Sequence, residues 1–184
     1  MKHDLNRRWF LKRAAAAAGA LSAIQYFPGP NLLHAAAVKD TLNCVLIGCG
    51  GRGMKHLEGI NTNKQRVVAL VDVFDSGFDT AKKWLKNHEQ DTAKIQTFTD
   101  YRKMFDKIGK QIDAVFIATP NHHHTLPALM AMQRGINVYC EKPVCHDIGE
   151  ARLLRETAKK SKVATQTGNQ GHCMEGYRAL CEYI

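Results

Sequence analysis

The stretch LNCVLIGCGGRGMKH, residues 42–56, decides the fold. It opens with a continuous apolar run, CVLIG, passes through a glycine-rich turn and enters a segment of helical character. Gly48, Gly50 and Gly53 fit the spacing G-x-G-x-x-G, with Gly51 and Arg52 inside it. Each glycine has its own task in a dinucleotide-binding turn: Gly48 permits the tight bend, Gly50 lets the backbone approach a pyrophosphate, and Gly53 lets the helix sit close to the strand. A helix starting there offers free N–H groups and partial positive charge to phosphates. Asp72 ends the next apolar run, RVVALVDV, 19 residues beyond Gly53, where a carboxylate can accept hydrogen bonds from the adenosine ribose. That carboxylate would repel a 2′-phosphate, which favours NAD. Arg52 is placed to offset part of the repulsion, which leaves NADP open.

Outward from this unit the pattern alternates. FDTAKKWLKNH carries Phe78, Ala81 and Leu85 at helical spacing, KIQTF is a short strand, and Asp100 can cap the helix YRKMFDKI. DAVFIAT is a strongly apolar strand, LPALMAMQRG a helix closed by Gly135, INVYC a strand, GEARLLRETAKKS a helix and VATQTG the last strand. Repeated β–α units with near-continuous apolar strands indicate an α/β domain, a doubly wound parallel sheet of the Rossmann type with helices on both faces. It is expected over residues 41–166.

Composition narrows the function classes. Of the formal charge of +9, the first 37 residues carry +4 (Lys2, Arg7, Arg8, Lys12 and Arg13 against Asp4), which leaves +5 for the rest. The lysines there are scattered over helix faces, without the basic stripe and interleaved aromatics of a nucleic-acid surface. All six cysteines follow residue 37, none in a C-x-x-C pair, so neither a zinc site nor a dithiol redox motif is indicated. Cys44 and Cys140 fall inside apolar runs and read as small buried hydrophobes.

The leader NRRWFLKRAAAAAGALSA, residues 6–23, resembles a bacterial twin-arginine signal peptide. Arg7 and Arg8 precede Phe10, Leu11 and Lys12, with Asn6 where a Ser or Thr is usual, and Ala35, Ala36 and Ala37 supply small residues for cleavage. The Ala-rich run falls short of the ~20 strongly apolar residues of a membrane span. The resemblance implies a signal peptide over 1–37, the twin-arginine translocation machinery as a partner, and a periplasmic or secreted protein. That route carries folded chains, so a cofactor could be loaded before export.

A second segment, ATPNHHHTLPALMAMQRGINVYCEKPVCHDIGEA, residues 118–151, carries the chemistry. ATP closes a strand at the carboxyl edge of the sheet, where ligands of open α/β sheets bind, so Thr119, Pro120, Asn121 and the histidines face the crevice. Three adjacent histidines lack the convergent spacing of metal ligands, and no metal is expected. Glu141, Lys142 and Pro143 follow a strand at the same edge, where a lysine can hold a substrate hydroxyl or take part in proton transfer. The order of glycine fingerprint, acidic strand end, TPNHHH and EKP resembles the Gfo/Idh/MocA oxidoreductases, from about Leu42 to the end of the chain. The resemblance implies hydride transfer between a nicotinamide cofactor and a sugar or polyol. It also implies Lys142 as the catalytic residue, Glu141 and His124 beside the cofactor, and a cis bond before Pro143. Gln166, Asn169 and His172 are candidates for the substrate side.

Members of that family continue into a second α/β domain that supplies the substrate wall and the usual oligomer surface. Residues 167–184 are expected to be the beginning of such a domain, and the chain reads as the N-terminal part of a longer enzyme, inactive alone. A homo-oligomer is expected only with that further domain. Two alternatives stand beside the oxidoreductase: an NAD-dependent glycosidase of the same family, which would keep its cofactor and oxidise only transiently, and a non-catalytic dinucleotide-binding module. The EKP lysine favours the oxidoreductase.

Overall fold

The computed structural model describes residues 40–183, so the expected leader and its cleavage site lie outside the described residues. Six parallel strands form one sheet: β1 (Asn43–Ile47), β2 (Arg66–Val71), β3 (Gln96–Phe98), β4 (Ala114–Ile117), β5 (Asn137–Glu141) and β6 (Thr165–Gly168). Their spatial order is β3-β2-β1-β4-β5-β6. The helices between them are α1 (Gly51–Thr62), α2 (Asp75–Asn87), α3 (Tyr101–Ile108), α4 (Thr125–Gln133) and α5 (Ile148–Ser161), and α6 (Glu175–Glu182) follows the last strand. This is the expected doubly wound fold.

Alternation along the strands sends side chains to two cores. Cys44, Leu46, Val67 and Leu70 meet Leu57 and Ile60 of α1 and Phe78, Ala81 and Leu85 of α2. Val45, Ile47, Ala69, Val71, Val115, Ile117 and Val138 meet α3 and α4, with Leu154 and Ala158 of α5 against them. Between the pairs Cys44↔Val67 and Val45↔Ala69 the register slips by one residue, so Val68 bulges and the alternation of β2 restarts beyond it. Leu85 is fully buried on α2, and a leucine in that position, cut to alanine, costs about 2–5 kcal/mol.

Local signals set the helix boundaries. Asp100 caps α3 by accepting the backbone N–H of Arg102 at 2.9 Å, and Asp147 caps α5 by accepting that of Glu150 at 2.9 Å. Pro127 stands in the first turn of α4, where its missing N–H costs no hydrogen bond. β6 runs to Gly168, the last residue of the VATQTG run, where Glu141 still pairs with Gly168. None of the residues of α6 is buried.

From β1 the chain moves outward to β2 and β3 on one side, then returns to β4, β5 and β6 on the other. The reversal opens a crevice at the carboxyl ends of β1 and β4. Gly48, Asp72, Thr119 and Lys142 all lie just beyond the ends of their strands on that edge.

Candidate functional site

The glycine turn is built by close approach. Gly48 has φ +93°, and a Cβ there would stand 2.6 Å from the carbonyl oxygen of Ala118, at the end of β4. A Cβ on Gly53 would stand 2.0 Å from the carbonyl oxygen of Gly48, so any larger residue would lever α1 off the strand. At Gly50 a Cβ would meet nothing within 4 Å. Gly50 and Gly48 line a crevice of about 800 Å³ together with Asp72, Phe74, Thr119 and Pro120. α1 begins with no side-chain cap and no acidic residue in its first turn, so its leading amides are left for an incoming acceptor. Open space over Gly50, an uncapped helix start and a carboxylate at the far wall fit a dinucleotide.

Asp72 does more than end β2. Its Oδ2 accepts the backbone N–H of Cys49 at 2.7 Å, and its Oδ1 accepts that of Phe74 at 3.0 Å. The carboxylate thus ties the glycine turn to the loop after β2 while facing the crevice. Cys49 is buried beneath it, and burial first, then the charge of Asp72, pushes its thiol up to about 12.

A second cavity, about 290 Å³, adjoins the end of β5. Arg52, Thr119, Asn121, His124, Glu141, Lys142 and Gln170 line it. Glu141 is its anchor, 5% exposed. Its Oε1 accepts Nε of Arg52 at 2.8 Å and Nε2 of Gln170 at 2.7 Å. Burial alone would raise this carboxyl, but the hydrogen bonds from Arg52 and Gln170 and the charge of Arg52 outweigh it and hold the group below its ordinary value. Glu141 is therefore ionised at neutral pH.

His56, from the inner face of α1, places Nε2 3.0 Å from the same oxygen, without the alignment of a hydrogen bond. Its ring packs edge-on to Tyr139 and against Phe116. Burial, which dominates, and the nearby Arg52 lower its proton affinity; Glu141 opposes them without prevailing. Gln170 also donates to the hydroxyl of Tyr139 at 2.9 Å. All of these contacts to Glu141 meet Oε1, which leaves Oε2 without a partner among the described residues.

His124 is 1% exposed and bridges two carbonyl oxygens, that of Thr119 from Nε2 at 2.8 Å and that of Pro143 from Nδ1 at 2.5 Å. A neutral imidazole has one N–H and can donate to one of the two at a time. The histidine thereby ties the loop after β4 to the turn after β5, where the Lys142–Pro143 bond is cis. Thr125 reinforces the tie by donating to Glu150 at 2.8 Å, and that carboxylate also accepts the backbone N–H of His146 at 2.7 Å.

The structure thus brings Gly48, Gly50, Asp72, Thr119 and Pro120 to the large crevice, and Arg52, Asn121, His124, Glu141 and Lys142 to the smaller cavity beside it. Gly51 starts α1 and is exposed. The remaining candidates are placed as follows. The guanidinium of Arg52 is held by Glu141 on the β5 side of the turn. Asn169 and His172 are exposed and lie outside the Lys142 cavity, His172 packing on Tyr177 at 4.8 Å. Gln166 is likewise exposed on the edge strand, donating to the neighbouring carbonyl of Thr167. Gln170 reaches the cavity instead, because the 3₁₀ turn over Gln170–Cys173 folds back below the end of β5. The three histidines do not converge: His123 packs on Tyr101 at 5.4 Å while His124 points to the two carbonyls.

Comparison with known proteins agrees with this geometry. The family model of the Gfo/Idh/MocA group, described as "Oxidoreductase family, NAD-binding Rossmann fold", matches residues 42–169. Glucose-6-phosphate 3-dehydrogenase of Bacillus subtilis (strain 168) is 30% identical over 126 residues, 67% of this chain and 32% of that protein. Glycosyl hydrolase family 109 protein 1 of Shewanella sp. (strain MR-4) is 27% identical over 177 residues, 87% of this chain and 38% of that protein. The crystal structure of scyllo-inositol dehydrogenase from Lactobacillus casei with bound NAD(H) and scyllo-inositol superposes with a TM-score of 0.66 at 25% identity, covering 77% of this chain and 40% of that one. The chain spans about a third of the length of the curated relatives it matches. With its glycine turn, crevice-lining Asp72 and Glu141-Lys142-Pro143 turn on one sheet edge, this chain belongs to the Gfo/Idh/MocA oxidoreductase family, whose fold is an NAD-binding Rossmann fold.

Proposed function

We propose that this chain is the cofactor-holding part of an NAD-dependent oxidoreductase acting on a sugar or polyol. One observation carries the reading: a lysine cavity opens beside the glycine-turn crevice, with Thr119 lining both. The turn from Gly48 to Gly53 and the start of α1 would hold the pyrophosphate, and Asp72 would accept the adenosine ribose hydroxyls. NAD, when bound, supplies the hydride acceptor for a carbinol carbon. Lys142 would hold the substrate hydroxyl oxygen at Nζ and exchange its proton there. Glu141, kept ionised by Arg52 and Gln170, steadies the turn that carries Lys142, and His124 pins that turn to the loop after β4. The relatives support the substrate class, one of them a sugar-phosphate dehydrogenase and another a polyol dehydrogenase. In the complete enzyme, Lys142→Ala is expected to remove most turnover and leave NAD affinity nearly unchanged. Near-normal turnover would refute the role of Lys142.

The family 109 relatives favour a second reading, an NAD-dependent glycosidase. The two separate on one readout: net NADH accumulates with a sugar or polyol under the first, whereas the second cleaves a glycoside with no net NADH. Residues 167–184 would then lead into the substrate domain under either reading. The paired arginines of the leader support export in folded form by the twin-arginine machinery to the periplasm or beyond. Replacing Arg7 and Arg8 by lysine should hold the protein in the cytoplasm; undiminished export would refute it.

A further inference from the structure

Among the described residues that line the large crevice, Arg102 is the one lysine or arginine. It stands in the first turn of α3, and its guanidinium is turned onto Asp100. Nη2 donates to Oδ2 at 2.8 Å, and Nε lies 3.0 and 3.1 Å from the two carboxylate oxygens. Both side chains reach solvent, Arg102 at 68% and Asp100 at 25% exposure. A surface pair of this kind adds little to stability.

Its position is more telling. The N–H of Asp72 donates to the carbonyl of Phe98 at 3.1 Å, two residues before Asp100, so the ends of β2 and β3 adjoin. Asp72 and Asp100 line the same crevice with His122, His123 and Arg102, and Lys103 borders Asp100 in the neighbouring hollow beside Asp75. A 2′-phosphate on an adenosine ribose held at Asp72 carries close to two negative charges and would meet both carboxylates. A guanidinium edge is the group best shaped to receive it, and the Nε–Nη2 edge of Arg102 is covered by Asp100.

We propose that the Asp100–Arg102 pair is a specificity lock, in which Asp100 withholds the crevice's guanidinium from a 2′-phosphate and so selects NAD over NADP together with Asp72. The proposal rests on the dinucleotide reading above. NADH and NADPH differ only in that phosphate, and titrating each into the full chain by nucleotide fluorescence at low salt tests it. Asp100→Asn keeps the helix cap, since asparagine caps as well as aspartate. It should raise the NADPH-to-NADH affinity ratio about tenfold, the scale of one charge-assisted contact. Asp100→Asn combined with Arg102→Gln should keep only the smaller part of that gain, the part due to removing a carboxylate, and Arg102→Gln alone should not raise the ratio. A ratio unchanged in Asp100→Asn, or a double variant that matches Asp100→Asn in full, overturns the lock. Failure of the unaltered chain to bind either nucleotide overturns the dinucleotide reading itself, and the lock with it.

Discussion

Glu141→Gln tests the buried centre of the smaller cavity. The substitution keeps size and removes charge. The amide oxygen can still accept from Arg52 and Gln170, so what is lost is the charged part of two hydrogen bonds that span 2.8 and 2.7 Å. Charged hydrogen bonds contribute about 1.5–3 kcal/mol and neutral ones about half of that. Arg52 is 44% exposed, so its share is reduced toward that of a solvent-screened pair. The expected loss is about 1–2 kcal/mol at neutral pH. Its pH dependence is the sharper test. The carboxyl is held below its ordinary value of 4.5, so the native state favours the ionised form. The contribution is fully present above 4.5 and disappears as pH falls through the depressed folded value. Urea unfolding followed by the fluorescence of Trp84 in α2, at a series of pH values, gives both curves. The difference between parent and variant should stand at its full size near neutrality and close under acid. A difference that does not vary with pH, or one below about 0.5 kcal/mol at neutral pH, would refute the ionised anchor.

Gly53→Ala puts a Cβ 2.0 Å from the carbonyl of Gly48; the overpacking should cost at least about 1–3 kcal/mol and abolish NADH binding, and an unchanged unfolding midpoint would show that α1 yields freely. Asp72→Ser removes an acceptor that clamps Cys49 and Phe74 and should weaken NAD roughly tenfold, the scale of a charged hydrogen bond. NADP should weaken less, whereas an equal fall for both, read by calorimetry, would make Asp72 a turn clamp and nothing more. Cys44, Cys49 and Cys140 have thiols pushed up to about 12, first by burial and then by neighbouring carboxylates. On the folded chain a thiol reagent should therefore modify the exposed Cys173 and Cys181 well before those three, as mass mapping of a time course would show. Equal rates would mean the core opens readily.

What could be read from the chain alone follows from the range over which each signal acts. Strands β1 and β4 show themselves as apolar runs because they are covered on both faces. α2 shows itself by Phe78, Ala81 and Leu85 on one stripe, and α3 by Asp100 one residue before it. These are signals between neighbours. The partners of Glu141 are not: Arg52 lies 89 positions away and Gln170 lies 29, and no periodicity links them. Arg52 therefore looked like a free cation near Asp72 when it belongs to β5. The place of Gln170 was hidden for the same reason. Asn169, Gln170 and His172 are alike as loop residues, and only the fold-back of the 3₁₀ turn separates Gln170 from the others. His56 lay hidden in a helix whose inner face offered no local mark of a polar neighbour; its place three residues after Gly53, one turn further along the buried side, is the signal that could have found it.

Gly168 carries one more consequence. A Cβ there would stand 2.6–2.8 Å from the carboxylate atoms of Glu141, and Gln170, two residues on, is bonded to that carboxylate. The last strand and the segment leaving it therefore share one buried carboxylate with the turn that carries Lys142: any side chain at 168 would crowd the acid, and Gln170 holds it from the other direction.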